Sequence, residues 1–514
     1  MGVKAFAAID IGSFELALKI FEFSGKNNMH EVEHLSRRIE LGSDTYATGK
    51  ISNEKMEELC RALKEFADVM RSYRVDAYRA YGTSAIRETE NFAIVQDMIK
   101  QRTGIEVGIL SNSEQRFLDY KSIASKGESF RRIIEEKTAI VDIGGGSIQL
   151  SLFENDMLAS TQNLRLGVLR LQELLSHVNA GSARLEALII ELASAQLSVY
   201  KRLYLKDSEI KNIIIVDDYI SQLVIKKVRG DVDKAVIDKP EFDRLMEQLR
   251  DGNKSRLAQQ MDIPEERLPL LFISAVLTKC IADMMGATYI WAPGVTLCDG
   301  IAYEYAESKK MLRDEHDFEK DITACAVSIS KRYMGSRRRA ETLEKITTTI
   351  FDSMKRIHGL GKRERLYLQI AAILHDCGKY ISLMNIGETS YDIIMATEII
   401  GLSHIEREIV ANVVRFNHTP FVYFGQQNCI SGLDREAYLI VAKLTAILRL
   451  ANSLDRSHKQ KFKGVKSVLH DNTLVLTVDT PEDISLERSA FELCEEFFTE
   501  VFSVRPVLRQ KKTL

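Results

Sequence analysis

The sequence has few of the features that mark secreted, membrane-bound and nucleic-acid-binding proteins. Its seven cysteines are scattered, odd in number and form no Cys-x-x-Cys pair, which disfavours a disulfide or zinc framework. No uninterrupted apolar run reaches the roughly 18 residues of a membrane span, and Asp10 breaks the first apolar stretch. The net charge of −3 gives no support for bulk attraction to nucleic acid. We therefore expect a cytoplasmic protein that binds neither DNA nor a membrane.

The chain also lacks a Pro- or Ser-rich linker, although its 514 residues are too many for one hydrophobic core. Strand and helix patterns alternate over residues 1–125 and again over 126–306, which predicts two α/β domains. Helical periods dominate 307–460, which predicts an all-α domain. A hairpin pattern at 465–478 and an amphipathic helix at 486–502 predict a small α+β tail over 461–514. We expect these four segments to pack together.

One sequence pattern, a strand that ends at an Asp and turns on Gly and Ser, occurs twice. AAIDIGSFELALKIFEF at 7–23 and AIVDIGGGSIQLSLF at 139–153 are both apolar, β-rich runs that meet an Asp, turn on Gly and Ser, and resume as a second strand. A hairpin of this kind places a carboxylate and a row of backbone N–H groups at its tip. Such a tip is a cradle for phosphate and metal ions.

Four ordered motifs carry a family resemblance. DIGS at 10–13, GTSAIRETEN at 82–91, SNSEQ at 111–115 and DIGGGSIQL at 142–150 resemble the exopolyphosphatase and guanosine pentaphosphate phosphatase (Ppx/GppA) family. That family belongs to the actin-like, sugar-kinase and Hsp70 superfamily. HGLGKRERLYLQIAAILHDCGKYI at 358–381, VRFNHT at 414–419 and LTAILRLANSLDRSH at 444–458 resemble the HD-type helical domain of its longer members. The resemblance implies two actin-like (ribonuclease H-like) α/β domains followed by an HD-like domain.

The resemblance also implies a site and a reaction. It implies removal of terminal phosphates from inorganic polyphosphate or a guanosine pentaphosphate-like nucleotide, by a Mg²⁺-dependent homodimer. The implied catalytic residues are Glu114 as general base, with Asp142 and Gln149. Asp10 and Asp142 would hold the metal. The implied phosphate-binding residues are Gly12, Ser13, Thr83, Ser84, Arg87, Gly144, Gly145, Gly146 and Ser147.

Several positions depart from the family pattern. Phe14 and Glu15 replace two small polar residues after Ser13, and Glu15 would either repel phosphate or recruit a metal. Gln149 replaces a carboxylate and cannot take a proton. Asp217, Asp218 and Tyr219 stand where another phosphate loop is expected, and Thr296-Leu297-Cys298-Asp299-Gly300 lacks an expected Arg.

The helical domain departs in the same way. His375, Asp376 and Asp455 match three of the four metal-binding positions of HD phosphohydrolases, but Arg339 stands at the first His position. Because its charge opposes a cation, we expect a structural or substrate-holding role rather than a catalytic metal. Arg337, Arg338 and Arg339 would form a basic strip for phosphate chains, or a solvated helix start.

Two functions therefore remain open. The first is the hydrolase described above. The second is a catalytically weak family member that binds a phosphorylated ligand and acts as a sensor or regulator through domain closure.

Overall fold

The computed structural model describes residues 4–25, 28–154, 157–176, 182–206, 208–217, 219–227, 235–251, 253–261, 263–312, 316–425 and 432–511. The chain forms two compact units, Met1–Asp317 and Phe318–Leu514. The first unit contains two large sheets with their helices, and the second is helical with a small sheet near its end. The predicted order of two α/β parts followed by a helical part is confirmed.

The first sheet has five strands, β1 (Lys4–Ile11), β2 (Glu15–Phe23), β3 (Met29–Arg38), β4 (Ala77–Gly82) and β5 (Val107–Ile109). Their order is β3-β2-β1-β4-β5; β1 to β3 are antiparallel, and β4 and β5 run parallel to β1. The accompanying helices are α1 (Leu41–Thr48), α2 (Asn53–Ser72), α3 (Ser84–Glu88), α4 (Phe92–Thr103) and α5 (Asn112–Ala124). Helix α2 begins after Ser52, because the Ser52 side chain accepts a hydrogen bond from the Lys55 backbone N–H.

The second sheet repeats this topology. Its strands are β6 (Thr138–Ile143), β7 (Ile148–Glu154), β8 (Met157–Leu164), β9 (Asn212–Asp217), β10 (Val236–Asp238) and β11 (Tyr289–Trp291). Their order is β10-β11-β9-β6-β7-β8, with β6 to β8 antiparallel and β9 parallel to β6. The helices of this part are α6 (Glu128–Ile134), α7 (Val168–Leu175), α8 (Ser182–Tyr200), α9 (Ile220–Lys227), α10 (Lys239–Asp251), α11 (Lys254–Met261), α12 (Leu268–Met285) and α13 (Leu297–Ser308).

Helix α13 returns to the first sheet. It packs on α5, β1 and β2, and its residues Leu297 and Ile301 share a hydrophobic cluster with Phe6, Ala8 and Leu118. The sequence-based boundary at 306 assigned this helix to the second α/β domain. The difference arises because an apolar helix face does not reveal which of two sheets it covers.

The second unit is mainly helical. Its helices are α14 (Phe318–Arg332), α15 (Arg337–Ser353), α16 (Lys355–His358), α17 (Lys362–Leu374), α18 (Ile386–Ala396), α19 (His404–His418), α20 (Arg435–Ser453) and α21 (Ser485–Phe502). The predicted hairpin forms from β12 (Gly464–His470) and β13 (Thr473–Asp479). A strand absent from the prediction, β14 (Arg505–Lys511), pairs parallel to β13. Its segment RPVLRQK has too few apolar residues for a strand pattern.

One stretch, Glu265–Met285, is long and apolar enough to cross a membrane by length and composition. It contains α12, and 72% of the apolar window is buried. Its residues, among them Leu271, Val276 and Ile281, belong to the core cluster of the second sheet. This burial accounts for its hydrophobicity.

The contact between α13 and α5 predicts a destabilising substitution. A Cβ atom at Gly300 would collide with the carbonyl oxygen of Leu118. Gly300→Ala should therefore lower the free energy of unfolding by about 1–3 kcal/mol, as expected for overpacking, despite the better helix propensity of Ala. Urea denaturation measures this change. The matched control is Gly464→Ala, because no atom lies within 4 Å of a Cβ at Gly464. Equal stability of the two variants would contradict the close packing.

Candidate functional site

A cleft of about 90 Å³ lies in the first unit where β1 and β6 end. Three connections converge on it: the β1–β2 turn, the β4–α3 loop and the β6–β7 turn. They contribute Asp10, Gly12, Ser13, Thr83, Ser84, Asp142, Gly144 and Gly145. The other residues that line the cleft are Phe14, Glu15, Gln115, Asp119, Ile143, Val216, Tyr219, Val295, Thr296 and Leu297. Most of the residues assigned to phosphate and metal from the sequence therefore lie together.

The two hairpin turns are built alike. The Gly12 backbone N–H donates to the Glu15 carbonyl at 3.1 Å, and the Gly144 N–H donates to the Ser147 carbonyl at 3.0 Å. The turns also approach each other closely, because a Cβ at Gly145 would lie 2.9 Å from the Ser13 Cβ. Glycine is required at such an approach. The sequence repeat is thus a repeat of backbone geometry.

The serine and threonine side chains of the site are buried beside these turns. The Ser13 and Ser84 hydroxyl oxygens lie 2.9 Å apart. Thr83 is anchored to the end of β1, since its backbone N–H donates to the Ile11 carbonyl at 3.2 Å. The β4–α3 loop is therefore fastened to the first turn, and both can face one phosphoryl group.

Three residues assigned to phosphate do not line the cleft: Arg87, Gly146 and Ser147. The Arg87 guanidinium donates to the Leu110 carbonyl at 2.7 Å and to the Gln115 side chain at 3.4 Å. Burial lowers the pKa of Arg87. Gly146 is covered by the Tyr46 hydroxyl, with which a Cβ at that position would collide. Arg87 thus supports α5 and the β5–α5 loop.

Glu114 lies outside the cleft lining and caps helix α5. Its carboxylate accepts from the Ser111 backbone N–H at 2.9 Å, and the Ser111 hydroxyl accepts from the Glu114 N–H at 3.2 Å. This reciprocal pair is a capping box. The neighbouring Gln115, and Asp119 one turn further along, face the cleft instead. The structure therefore does not bring the expected general base to the site.

Gln149 is also displaced from the role expected of it. Only 2% of the residue is exposed, and its side-chain oxygen accepts a hydrogen bond from the Arg116 guanidinium at 3.1 Å. Arg116 donates in addition to the Thr161 hydroxyl. The Gln149 amide oxygen thus provides a hydrogen-bond acceptor for the buried Arg116 guanidinium. A charged group in a packed interior requires such partners.

The departures at Phe14 and Glu15 join the two α/β sheets. The Glu15 carboxylate lies 2.5 Å from the Arg267 guanidinium. Phe14 belongs to the core cluster of the second sheet, and its ring lies 5.0 Å from the Arg38 guanidinium carbon and 5.6 Å from that of Arg267. Arg38 in turn pairs with Glu266 at 2.6 Å. Because Glu15 is paired, its charge is compensated within the protein.

A similar compensation occurs at Asp299. Its carboxylate caps α13 by accepting from the Thr296 backbone N–H at 2.7 Å, and it pairs with Lys19 at 2.9 Å. Asp218, one of the two acidic residues expected to oppose a polyanion, lies outside the described residues, as does the Asp217 side chain.

In the second unit, Arg339 lies among the three residues of the HD motif. Its guanidinium is 3.3 Å from Asp455 and 3.9 Å from Asp376, and it donates to the Asn452 side chain at 2.7 Å. His375 is fully buried, and its Nδ1 lies 2.8 Å from the Ala372 carbonyl. Burial lowers the pKa of His375 to about 3. The Arg339 guanidinium thus neutralises the two carboxylates, which would otherwise be available to hold a metal ion.

The three arginines that were expected to form a basic strip differ in exposure. Arg339 is buried, whereas Arg337 and Arg338 are exposed and Arg337 pairs with Glu341 at 2.8 Å. Within the described residues there is no group of three or more His, Cys, Asp or Glu side chains that could hold a metal ion.

Sequence reasoning missed Tyr46, Gln115 and Asp119. Gln115 and Asp119 are four residues apart and so share a face of α5; this spacing was the available signal. Tyr46 gave no signal, because a single tyrosine in a short amphipathic segment is indistinguishable from a packing residue.

Comparisons with known proteins identify the family of the chain. The profile of the Ppx/GppA phosphatase family matches residues 20–309, and that of Ppx/GppA phosphatase domain III matches 323–493. A guanosine-5'-triphosphate,3'-diphosphate pyrophosphatase of Vibrio atlanticus is 22% identical over 92% of this chain and 91% of its own. Exopolyphosphatase 2 of Mycobacterium tuberculosis is 26% identical over 34% of this chain and 56% of its own.

Solved structures show the same fold. An exopolyphosphatase from Cytophaga hutchinsonii has a TM-score of 0.52 at 18% identity and covers 60% of this chain and all of its own. The Aquifex aeolicus Ppx/GppA protein has a TM-score of 0.50 at 17% identity, over 60% of this chain and 99% of its own.

The first unit is thus a pair of actin-like α/β domains with a cleft where β1 and β6 end. The chain belongs to the Ppx/GppA phosphatase family. The relatives named above are hydrolases, a pyrophosphatase and an exopolyphosphatase.

The capping role of Glu114 predicts a stability effect. Glu114→Ala should lower the free energy of unfolding by about 0.5–2 kcal/mol, because the Ser111 N–H loses its acceptor. Glu114→Gln, which keeps an oxygen acceptor, should cost less. Thermal and urea unfolding measure the difference. The control is Glu128→Ala, an exposed residue in the first turn of α6; an equal loss in this control would argue against the cap.

The position of Arg339 predicts a larger effect. Arg339→Ala leaves the buried Asp455 without its cation, whereas Asp376 keeps Lys379 at 3.2 Å. Breaking a buried pair costs about 3–5 kcal/mol. Arg338→Ala, the exposed neighbour, should change the unfolding free energy by less than about 0.5 kcal/mol. Urea denaturation of both variants separates the two cases. If Arg339→Ala were as stable as Arg338→Ala, the arginine would not be holding the carboxylates.

Proposed function

We propose that this protein is a Mg²⁺-dependent phosphohydrolase that removes terminal phosphates from inorganic polyphosphate or a guanosine pentaphosphate-like nucleotide. The observation that carries the proposal is the convergence of Asp10 and Asp142 with two glycine turns and the Thr83–Ser84 loop in one cleft. Backbone N–H groups of such turns favour anions, and the carboxylates favour a cation. A phosphoanhydride bridged to a metal ion satisfies both preferences.

The charge of the cleft supports a cation cofactor. Among the described residues that line it, four are carboxylates and none is Lys or Arg. Arg267 compensates Glu15, but the site still needs positive charge before it can hold a polyanion. Mg²⁺ binds through one or two carboxylates together with substrate phosphates and water. Asp10 and Asp142 fit that donor set and would hold the ion, which would neutralise charge on the transferred phosphoryl group.

The water that attacks the phosphoryl group must be activated by a residue other than Glu114, whose carboxylate caps α5. Gln115 faces the cleft, but an amide cannot accept a proton. Asp119 follows it by one helical turn, is 4% exposed and also lines the cleft. In the proposed reaction Asp119 accepts the proton of the attacking water, while the turns at Gly12 and Gly144 bind the phosphoryl oxygens.

The two substrate classes follow from the relatives. One is named for hydrolysis of a guanosine pentaphosphate and another for polyphosphate. Both substrates end in a phosphoanhydride-linked phosphate, and the cleft is large enough for a terminal phosphoryl group.

A second candidate function has its own support. Gln149 replaces a carboxylate of the family pattern and accepts from Arg116, Gln115 faces the cleft with an amide, and Glu114 is occupied as a cap. A site of this kind can bind a phosphorylated ligand and turn it over slowly. The protein would then act as a sensor or regulator.

The test is phosphate release from long-chain polyphosphate and from guanosine pentaphosphate, with Mg²⁺ and with a chelator. We expect release from at least one substrate, loss of it with the chelator, and a decrease of about a hundredfold or more in Asp119→Asn, since general base catalysis contributes that much. Asp97→Asn, an exposed residue on α4, is the control.

Two outcomes would contradict parts of this proposal. Loss of activity in Glu114→Gln, with its fold intact, would restore Glu114 as the base. Absence of release from both substrates, together with thermal stabilisation by either, would favour the sensor.

A further inference from the structure

Tyr46 lies where the three phosphate-binding connections meet. It comes from α1, and its hydroxyl is 2.9 Å from the Ser13 hydroxyl and 3.1 Å from the Ser84 hydroxyl. On its other side it lies against Gly146, where no Cβ could fit beside the phenol oxygen. A phenol oxygen thus occupies a position between two serine hydroxyls and a glycine backbone, the type of surroundings that suits a phosphate oxygen.

The hydroxyl of Ser13 has no remaining capacity while Tyr46 is in place. It is within hydrogen-bond distance of Tyr46, of Ser84 at 2.9 Å and of the Ala85 backbone N–H at 3.2 Å. A hydroxyl has one donor and two acceptor positions, so three partners saturate it. A substrate phosphate at this end would have to displace the tyrosine.

Displacement is opposed by the packing of the ring. The Arg170 guanidinium carbon lies 4.6 Å from the ring centroid, and Arg170 is itself held by the Gly146 carbonyl at 3.0 Å and by Glu88 at 2.6 Å. Gly42 makes room for the ring, since a Cβ there would lie 2.8 Å from a Tyr46 ring carbon. The tyrosine is therefore clamped by elements of both α/β sheets.

The shape of the cleft agrees with this arrangement. Gly144 and Gly145 line it, but Gly146 and Ser147 do not. The glycine turn continues beyond the open space, and there the Tyr46 hydroxyl lies against Gly146.

We propose that Tyr46 is a specificity-determining residue that closes this end of the phosphate cradle and limits the site to the terminal phosphoryl group of short phosphoanhydrides. A long polyphosphate that must thread past Gly146 is then disfavoured relative to a substrate whose end alone enters. This inference rests on the proposed function and names the substrate class of the same site.

Two variants and a control test it. Tyr46→Phe removes the hydroxyl but keeps the ring, and Tyr46→Ala removes both. The control is Tyr73→Phe, which removes an exposed hydroxyl bonded to Glu33 in the same domain. Circular dichroism verifies the fold of each variant, and kcat/KM is measured for tripolyphosphate and for long-chain polyphosphate.

Tyr46→Phe should lower KM for both substrates by about tenfold, because two hydroxyls become available to a charged phosphate. Tyr46→Ala should raise the ratio of kcat/KM for the long chain over that for tripolyphosphate by about tenfold or more, because the cradle opens. Tyr73→Phe should change neither quantity. An unchanged ratio in a folded Tyr46→Ala variant would overturn the inference.

Failure of the proposed function gives a different result. If the wild type releases no phosphate from either substrate, the hydrolase proposal fails, and calorimetric titration with the same two polyphosphates tests Tyr46 by binding alone. A long-to-short affinity ratio that rises in Tyr46→Ala supports the inference. A ratio that stays constant, or absence of binding to every variant, contradicts it.

Discussion

The close approach of two glycine turns is the constraint on which the first unit depends. A side chain at Gly145 is excluded between the turns, since its Cβ would lie 2.9 Å from the Ser13 Cβ. This contact brings Asp10 and Asp142 into one cleft although the residues lie on different sheets. The backbone of Gly146 lies against the Tyr46 hydroxyl, where a Cβ would collide. The cleft and the meeting of its carboxylates follow from the approach of the two turns.

Unusual charges in this chain are compensated inside the fold. Glu15 pairs with Arg267, Asp299 pairs with Lys19, and the HD-motif carboxylates surround Arg339. Removing one partner of a buried pair costs more than the pair contributes, because the other charge is left uncompensated. The same logic explains Gln149, whose amide oxygen accepts from the buried Arg116. Residues that depart from the family motif thus form ion pairs and hydrogen bonds within the fold, in addition to changing the chemistry of the site.

Local signals identified most elements but not the direction of individual side chains. The hairpin at β6 and β7, the helix beginning after Ser52 and the hairpin at β12 and β13 were all predictable, because alternation and caps are properties of neighbouring residues. Glu114 shows the limit. A capping box and a catalytic carboxylate have the same sequence appearance, and only the helix orientation shows that Gln115 and Asp119 face the cleft.

The sequence by itself determined the order of the domains, the two hairpin devices and the residue types at the cleft, since these depend on periodicity and on motifs of a few residues. Only the tertiary structure decided which residues meet. Helix α13 could have covered either sheet, and Glu15 and Tyr46 could have had other partners. Each outcome is set by contacts between segments far apart in the chain, such as Arg267 with Glu15 and Arg170 with Tyr46, and no local pattern encodes such contacts.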